Sequence, residues 1–167
     1  MDKLLKDVKH SLKTEGYASA REIIDIDEWI LPVWNDICLL GELCALRHGI
    51  VTLSPRTGLI DEKADWLMQL CMQDRRILSD LYDGIKQLPS FLRLASSKLF
   101  VDLYSKLFGV GLVGVGENSY GIRLDLPEED KFRSHWHQEY AYNPQSPQLV
   151  VFWIPLVDML SNMGSVE

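Results

Sequence analysis

The sequence Arg133–Glu167, RSHWHQEYAYNPQSPQLVVFWIPLVDMLSNMGSVE, decides the fold that we expect for the chain. At its centre lies His137-Gln138-Glu139, an imidazole and a carboxylate two residues apart. In an extended strand, side chains two residues apart point to the same face, so His137 and Glu139 can converge on one ion. A neutral imidazole nitrogen and a carboxylate oxygen suit iron(II) in a site of two histidines and one carboxylate. The motif therefore indicates a candidate iron site that needs a second histidine from elsewhere.

The spacing of His137 and Glu139 is weak evidence when it is taken alone. With 4 His and 24 acidic residues among 167, roughly 0.6 such pairs are expected by chance, and one is found. By itself the pair is more typical of a polar strand or loop that binds no metal. The neighbouring sequence therefore carries the interpretation.

Composition and charge restrict the class of protein. Apolar residues make up 47% of the chain and charged residues 25%, which is typical of a single globular domain. The net charge of −7 argues against nucleic acid or an anionic membrane as a partner. The three cysteines have no metal-binding or redox spacing, which predicts reduced, buried thiols. The amino terminus is charged and we expect no long apolar run, which predicts a cytoplasmic protein.

Helical periodicity fills the first two thirds of the chain, and strand-like patterns follow. Helices are predicted over residues 2–14, 27–47, 62–86 and 89–108, with a possible short strand over 17–24. From Gly109 onward, Tyr120, Ile122 and Leu124 alternate with polar residues or glycine, and residues 148–156 are apolar on both faces. Helices before strands predict an α+β fold in one domain, with a helical part over 1–109 and a strand-rich part over 110–167.

The chain resembles the phytanoyl-CoA dioxygenase family of iron(II)/2-oxoglutarate oxygenases, closely over residues 110–167 and loosely over the helical part. The similar features, in chain order, are Gly16-Tyr17, the segment 122–127 that ends in proline, His137-Gln138-Glu139, Tyr142, Phe152-Trp153-Ile154-Pro155-Leu156, Asp158 and Asn162-Met163-Gly164. Each feature is weak alone, and their shared order and spacing carry the resemblance.

The resemblance implies a fold, cofactors and site residues. The fold would be N-terminal helices packed on a double-stranded β-helix, a cupin-like jelly-roll of which residues 110–167 are the first half. His137 and Glu139 would be the first two iron ligands, and Gln138 and Trp153 would lie near 2-oxoglutarate. Tyr142 and Ile122 would line the substrate pocket. The implied reaction hydroxylates a small-molecule substrate with release of succinate and carbon dioxide.

Two departures from the family pattern bear on these expectations. Glu139 stands where the family usually has aspartate, and it keeps the charge with one more methylene. The distal histidine and the arginine that binds 2-oxoglutarate follow the N-G-G turn in the family, beyond Gly164 of this chain. We therefore expect these 167 residues to be a truncated piece of a longer oxygenase, or an oxygenase whose remaining part is supplied by another chain.

Two alternatives remain open at the level of sequence. His135-Trp136-His137 also resembles the H-x-H motif of cupins, although Glu139 follows too soon and the flanking glycines are missing. His135 is better explained as a loop residue or one that supports the ligands. The second alternative is a non-catalytic binding or interaction protein that retains half of an oxygenase fold. The sequence identifies neither the prime substrate nor the oligomeric state.

Overall fold

The computed structural model describes residues 2–116, 120–127, 146 and 148–159. Within these ranges the regular structure is helical. The helices are α1 (Asp2–Thr14), α2 (Leu31–Arg47), α3 (Ile60–Gln73), α4 (Arg75–Ile85), α5 (Pro89–Ala95) and α6 (Lys98–Phe108), and a π-helical turn (Ile26–Ile30) leads into α2.

Helix α2 is the centre of the bundle. It packs against α3, α4 and α5, while α1 packs against α6. Helices α2 and α3 approach closely at Gly41, because a β-carbon added there would lie 3.0 Å from Trp66. The buried residues of α2 are Val33, Trp34, Ile37, Cys38, Gly41, Cys44 and Ala45. Burial of these apolar side chains against three neighbouring helices is the main source of stability for such a bundle.

The start of the second helical segment differs slightly from the prediction. Asp25, rather than Asp27, caps it, and its carboxylate accepts a 2.9 Å hydrogen bond from the backbone N–H of Glu28. The first helical turn has π geometry, and α2 then begins at Leu31 with Pro32 in its first turn. Proline is tolerated there because the first helical N–H groups have no intrahelical partner.

Each of the two helices predicted after α2 is divided into two helices in the structure. The interval 62–86 is interrupted at Asp74, whose backbone is extended and whose side chain accepts a hydrogen bond from the N–H of Arg76. An aspartate that binds its own downstream backbone ends one helix and caps the next. The interval 89–108 is interrupted at Ser97, the N-cap of α6. Helix α6 ends as predicted, because Gly109 adopts the left-handed conformation (φ 69°) that glycine accepts without strain.

The predicted α+β class, with its half of a double-stranded β-helix, is wrong for the part of the chain that the structure describes. Residues 110–116, 120–126 and 148–157 have no regular secondary structure there and form no β-strand. The predicted alternation of inward and outward side chains is present. Tyr120, Ile122 and Leu124 pack against the helices, whereas Gly121 and Arg123 are exposed. A segment that packs on helices by one face shows the same alternation of buried and exposed residues as a strand in a sheet. The pattern therefore does not tell whether the segment pairs with another strand.

Two smaller predictions also fail. Residues 17–24 form no strand, and the segment 148–156 is not covered on both faces. Val151 and Trp153 are 51% and 53% exposed, because only one side of this segment packs against the helices.

The stretch Ile26–Arg47, which joins the π turn and α2, is long and apolar enough to cross a membrane by length and composition, contrary to the expectation that no such run exists. Only 44% of its 18-residue window is buried within the structure. The central helix of a helical bundle meets the same criterion, and α2 packs against three other helices.

Candidate functional site

Four of the predicted site residues lie outside the described part of the chain. These are His137, Gln138, Glu139 and Tyr142. Their roles stay predictions. The structure does describe the two segments that precede and follow them, which contain the other two predicted residues, Ile122 and Trp153.

The segment before the motif, residues 120–127, is attached to α4 and α5. The hydroxyl of Tyr82 donates a 2.7 Å hydrogen bond to the carbonyl of Leu124 and accepts one of 3.0 Å from its N–H. The ring of Tyr120 lies 6.0 Å from that of Phe91. Ile122 is 8% exposed and belongs to the main hydrophobic core. A single tyrosine hydroxyl thus takes the place that a neighbouring strand would fill for the backbone of Leu124.

The segment after the motif, residues 148–159, is attached to α2 and α6. Tyr104 donates a 2.7 Å hydrogen bond to the carbonyl of Gln148, and the rings of Phe100 and Phe152 lie 4.9 Å apart. Trp34 donates a 2.7 Å hydrogen bond from Nε1 to the carbonyl of Leu156. Trp153 is 53% exposed, so more than half of its side chain is available for a ligand or another part of the protein.

Both neighbours of the histidine motif are therefore fixed on one helical bundle. Residues 120–127 end immediately before the interval 128–145, and residues 148–159 begin shortly after it. The described chain is thus fixed to α4 and α5 before the motif, and to α2 and α6 after it. Rigid scaffolds commonly hold functional loops in this way.

The described residues contain two histidines, His10 in α1 and His48 at the end of α2. His48 lies at the end of α2, where its Nε2 is 3.1 Å from the carboxylate of Asp80, which also pairs with Arg47. His10 lies on α1 and is exposed. Among the described residues, no group of three or more histidine, cysteine or acidic side chains is arranged to hold a metal.

The three cysteines are buried and unpaired, as the sequence predicted. Burial raises the pKa of each thiol, and for Cys71 the pKa reaches about 11. A thiol with a raised pKa is a poor nucleophile and a poor metal ligand at neutral pH. These residues therefore contribute to packing, as small apolar side chains do.

A cleft between α2, α3 and the loop 50–59 escaped the sequence-based prediction. It has a volume of about 170 Å³ and is lined by Asn35, Cys38, Leu39, Ser54, Pro55, Arg56 and Lys63. Lys63 is only 2% exposed. The signal was present in the sequence, because Lys63 is one turn before Leu67 on the buried face of α3.

An acidic residue holds the loop beside this cleft. Glu42 accepts hydrogen bonds of 2.8 Å and 2.6 Å from the N–H and hydroxyl of Ser54, and it forms an ion pair with Arg56. Burial alone would raise the pKa of Glu42, but the hydrogen bonds from Ser54 and the positive charge of Arg56 outweigh it and lower the pKa. Glu42 is therefore ionised at neutral pH and balances the charge of Arg56.

No known protein family, curated protein or solved structure matches this chain.

Proposed function

We propose that this chain is part of an iron(II)/2-oxoglutarate-dependent dioxygenase that hydroxylates a small-molecule substrate. One observation carries the proposal: His137-Gln138-Glu139 lies, in sequence, between two segments that are both anchored on the helical bundle. The order of Tyr142, Trp153 and Asn162-Met163-Gly164 after the motif adds to its support. The proposal requires no β-helix among the described residues.

The motif contains two of the three kinds of ligand that such an iron site needs. His137 and Glu139 supply an imidazole nitrogen and a carboxylate oxygen, which match a site of two histidines and one carboxylate. The third ligand would be the distal histidine of the family, which follows the N-G-G turn, beyond Gly164 of this chain. When bound, iron(II) and 2-oxoglutarate would together activate dioxygen, which is the oxidant for C–H hydroxylation.

The chain's own residues would hold, orient and shield the reacting groups. The hydrogen bonds from Tyr82 to Leu124 and from Trp34 to Leu156 hold the segments on either side of the motif. Gln138 and the exposed indole of Trp153 would contact 2-oxoglutarate, and Tyr142 and Ile122 would line the substrate pocket. Residues held by packing keep a catalytic arrangement within the narrow geometric limits that it requires.

Formation of succinate from 2-oxoglutarate tests this proposal. The natural gene product is incubated with iron(II), ascorbate, oxygen and 2-oxoglutarate, and succinate is quantified without a prime substrate. We expect slow, iron-dependent formation of succinate that Glu139→Gln abolishes. The matched control is Asp65→Asn, which removes one negative charge from an exposed position of α3 and should leave the rate unchanged. A Glu139→Gln variant as active as the wild type would contradict the proposal.

A second candidate function is protein–protein interaction, and one observation favours it. Leu39, Leu43 and Leu46 are 48%, 65% and 61% exposed, and their spacing places them on one face of α2. A row of exposed leucines is typical of an interaction surface. Absence of iron-dependent succinate formation, together with a concentration-dependent association that Leu43→Glu abolishes, would favour this function over the enzyme.

A further inference from the structure

Lys63 carries a buried charge whose hydrogen-bonding capacity is only partly used. Its side chain lines the cleft between α2, α3 and the loop 50–59, and the residue is 2% exposed. Within the part of the chain that the structure describes, its ammonium group has one hydrogen bond, of 2.9 Å, to the carbonyl of Pro55. An ammonium group has three N–H donors, so two remain available.

No acidic side chain in the described structure balances this charge. Glu42, which holds the loop beside the cleft, is bound by Ser54 and paired with Arg56. Burying an ammonium group without a counter-charge costs free energy, and an anion that enters the cleft would recover part of that cost. The cleft therefore has the charge of an anion site.

The size and the walls of the cleft restrict the anion further. A volume of about 170 Å³ is the space of about six water molecules in the liquid, so the ligand has a similar number of non-hydrogen atoms. Leu39, Cys38 and Pro55 provide an apolar wall. The amide of Asn35 provides a polar group in addition to Ser54 and Arg56, which are both bound to Glu42. One uncompensated positive charge matches one negative charge on the ligand.

We propose that this cleft binds a short aliphatic monocarboxylate, with its carboxylate on Lys63 and its alkyl chain against Leu39 and Pro55. None of the residues that line the cleft belongs to the histidine motif, and the proposal does not depend on iron or on the proposed oxygenase activity. A carboxylate and an ammonium group at hydrogen-bonding distance form a charge-assisted pair, which is stronger than a neutral hydrogen bond.

Nuclear magnetic resonance of lysine side chains tests the proposal directly. The protein is labelled with ¹³C at the lysine ε-carbons, kept free of iron, and titrated with propionate. The resonance of Lys63 is the one that disappears in Lys63→Met. We expect this resonance to shift in a saturable way, with a dissociation constant on the order of millimolar. The same ionic strength of sodium chloride should not shift it.

Two variants and one alternative anion make the outcome decisive. Asn35→Asp places a negative charge at the cleft without changing its shape, and should weaken propionate binding about tenfold. Asn35 is exposed, so this variant tests the site even if Lys63→Met does not fold. Lys106→Met, which removes an exposed lysine of α6, should leave binding unchanged. No shift of the Lys63 resonance, equal binding by Asn35→Asp, or binding of inorganic phosphate but not of propionate would overturn the proposal.

Discussion

The indole Nε1 of Trp34 donates a 2.7 Å hydrogen bond to the carbonyl oxygen of Leu156, a residue 122 positions later in the chain. Trp34 is 4% exposed at the centre of the bundle, and Leu156 belongs to the segment that follows the histidine motif. This contact joins the helical scaffold to the segment on which the proposed function depends. The hydrogen bonds between Tyr82 and Leu124 do the same for the segment before the motif.

Replacing Trp34 by phenylalanine should destabilise the protein by about 2 kcal/mol. The variant keeps an aromatic ring but leaves the carbonyl of Leu156 without its donor and opens a small cavity. Urea denaturation measures the change in the free energy of unfolding.

The control for this variant is Trp153→Phe. Because Trp153 is 53% exposed, its replacement should cost less than about 0.5 kcal/mol. Equal destabilisation by the two substitutions would show that the contact between Trp34 and Leu156 does not hold the C-terminal segment.

Tyr82→Phe should release the segment before the motif. Without the hydroxyl, the N–H and the carbonyl of Leu124 both lose their partner, which costs about 1–2 kcal/mol. Hydrogen exchange measured by NMR should show that the amide of Leu124 exchanges about tenfold faster than in the wild type. Tyr104→Phe removes an exposed hydrogen bond to Gln148 and should leave that amide unchanged. Unchanged exchange of Leu124 in Tyr82→Phe would contradict the assigned contact.

Asp74 should make the stability of the protein depend on pH in the acidic range. The side-chain hydrogen bond from Arg76, and then the backbone hydrogen bond, lower the pKa of Asp74 from 3.8 to about 2. A lowered pKa means that the ionised form stabilises the folded state above about pH 4, and that this contribution is lost as the pH falls toward 2.

Asp74→Asn isolates this ionic contribution, because asparagine is also a good N-cap. At neutral pH the variant should be less stable than the wild type, and the difference should shrink as the pH falls from about 4 to about 2. Arg76→Gln should show the same dependence, because it removes the partner. A difference that stays constant over this range would contradict the linkage.

The helical half could largely be predicted from sequence, because its signals are local. Gly109 ends α6 as expected, and apolar periodicity located the core residues of α2. The divisions of the later helices were missed because Asp74 and Ser97 are compatible with a helix interior as well as with a cap. Propensity decides weakly between these possibilities, and tertiary packing settles them.

The strand-rich half could not be predicted in the same way, because strand formation depends on a partner. The alternation of Tyr120, Ile122 and Leu124 correctly identified the inward side chains, but it carries no information on whether a strand or a helix covers them. The charge of Lys63 was overlooked because lysine is mostly exposed in proteins, although its position on the buried face of α3 indicated otherwise.

Anaerobic titration of the natural gene product with iron(II) and 2-oxoglutarate tests the central claim most directly. The chelate of 2-oxoglutarate on iron(II) gives a weak visible charge-transfer band. We predict that this band forms in the wild type, persists in His135→Ala and disappears in His137→Ala. Absence of the band in the wild type, or a band that survives His137→Ala and is lost in His135→Ala, would contradict the proposed iron site.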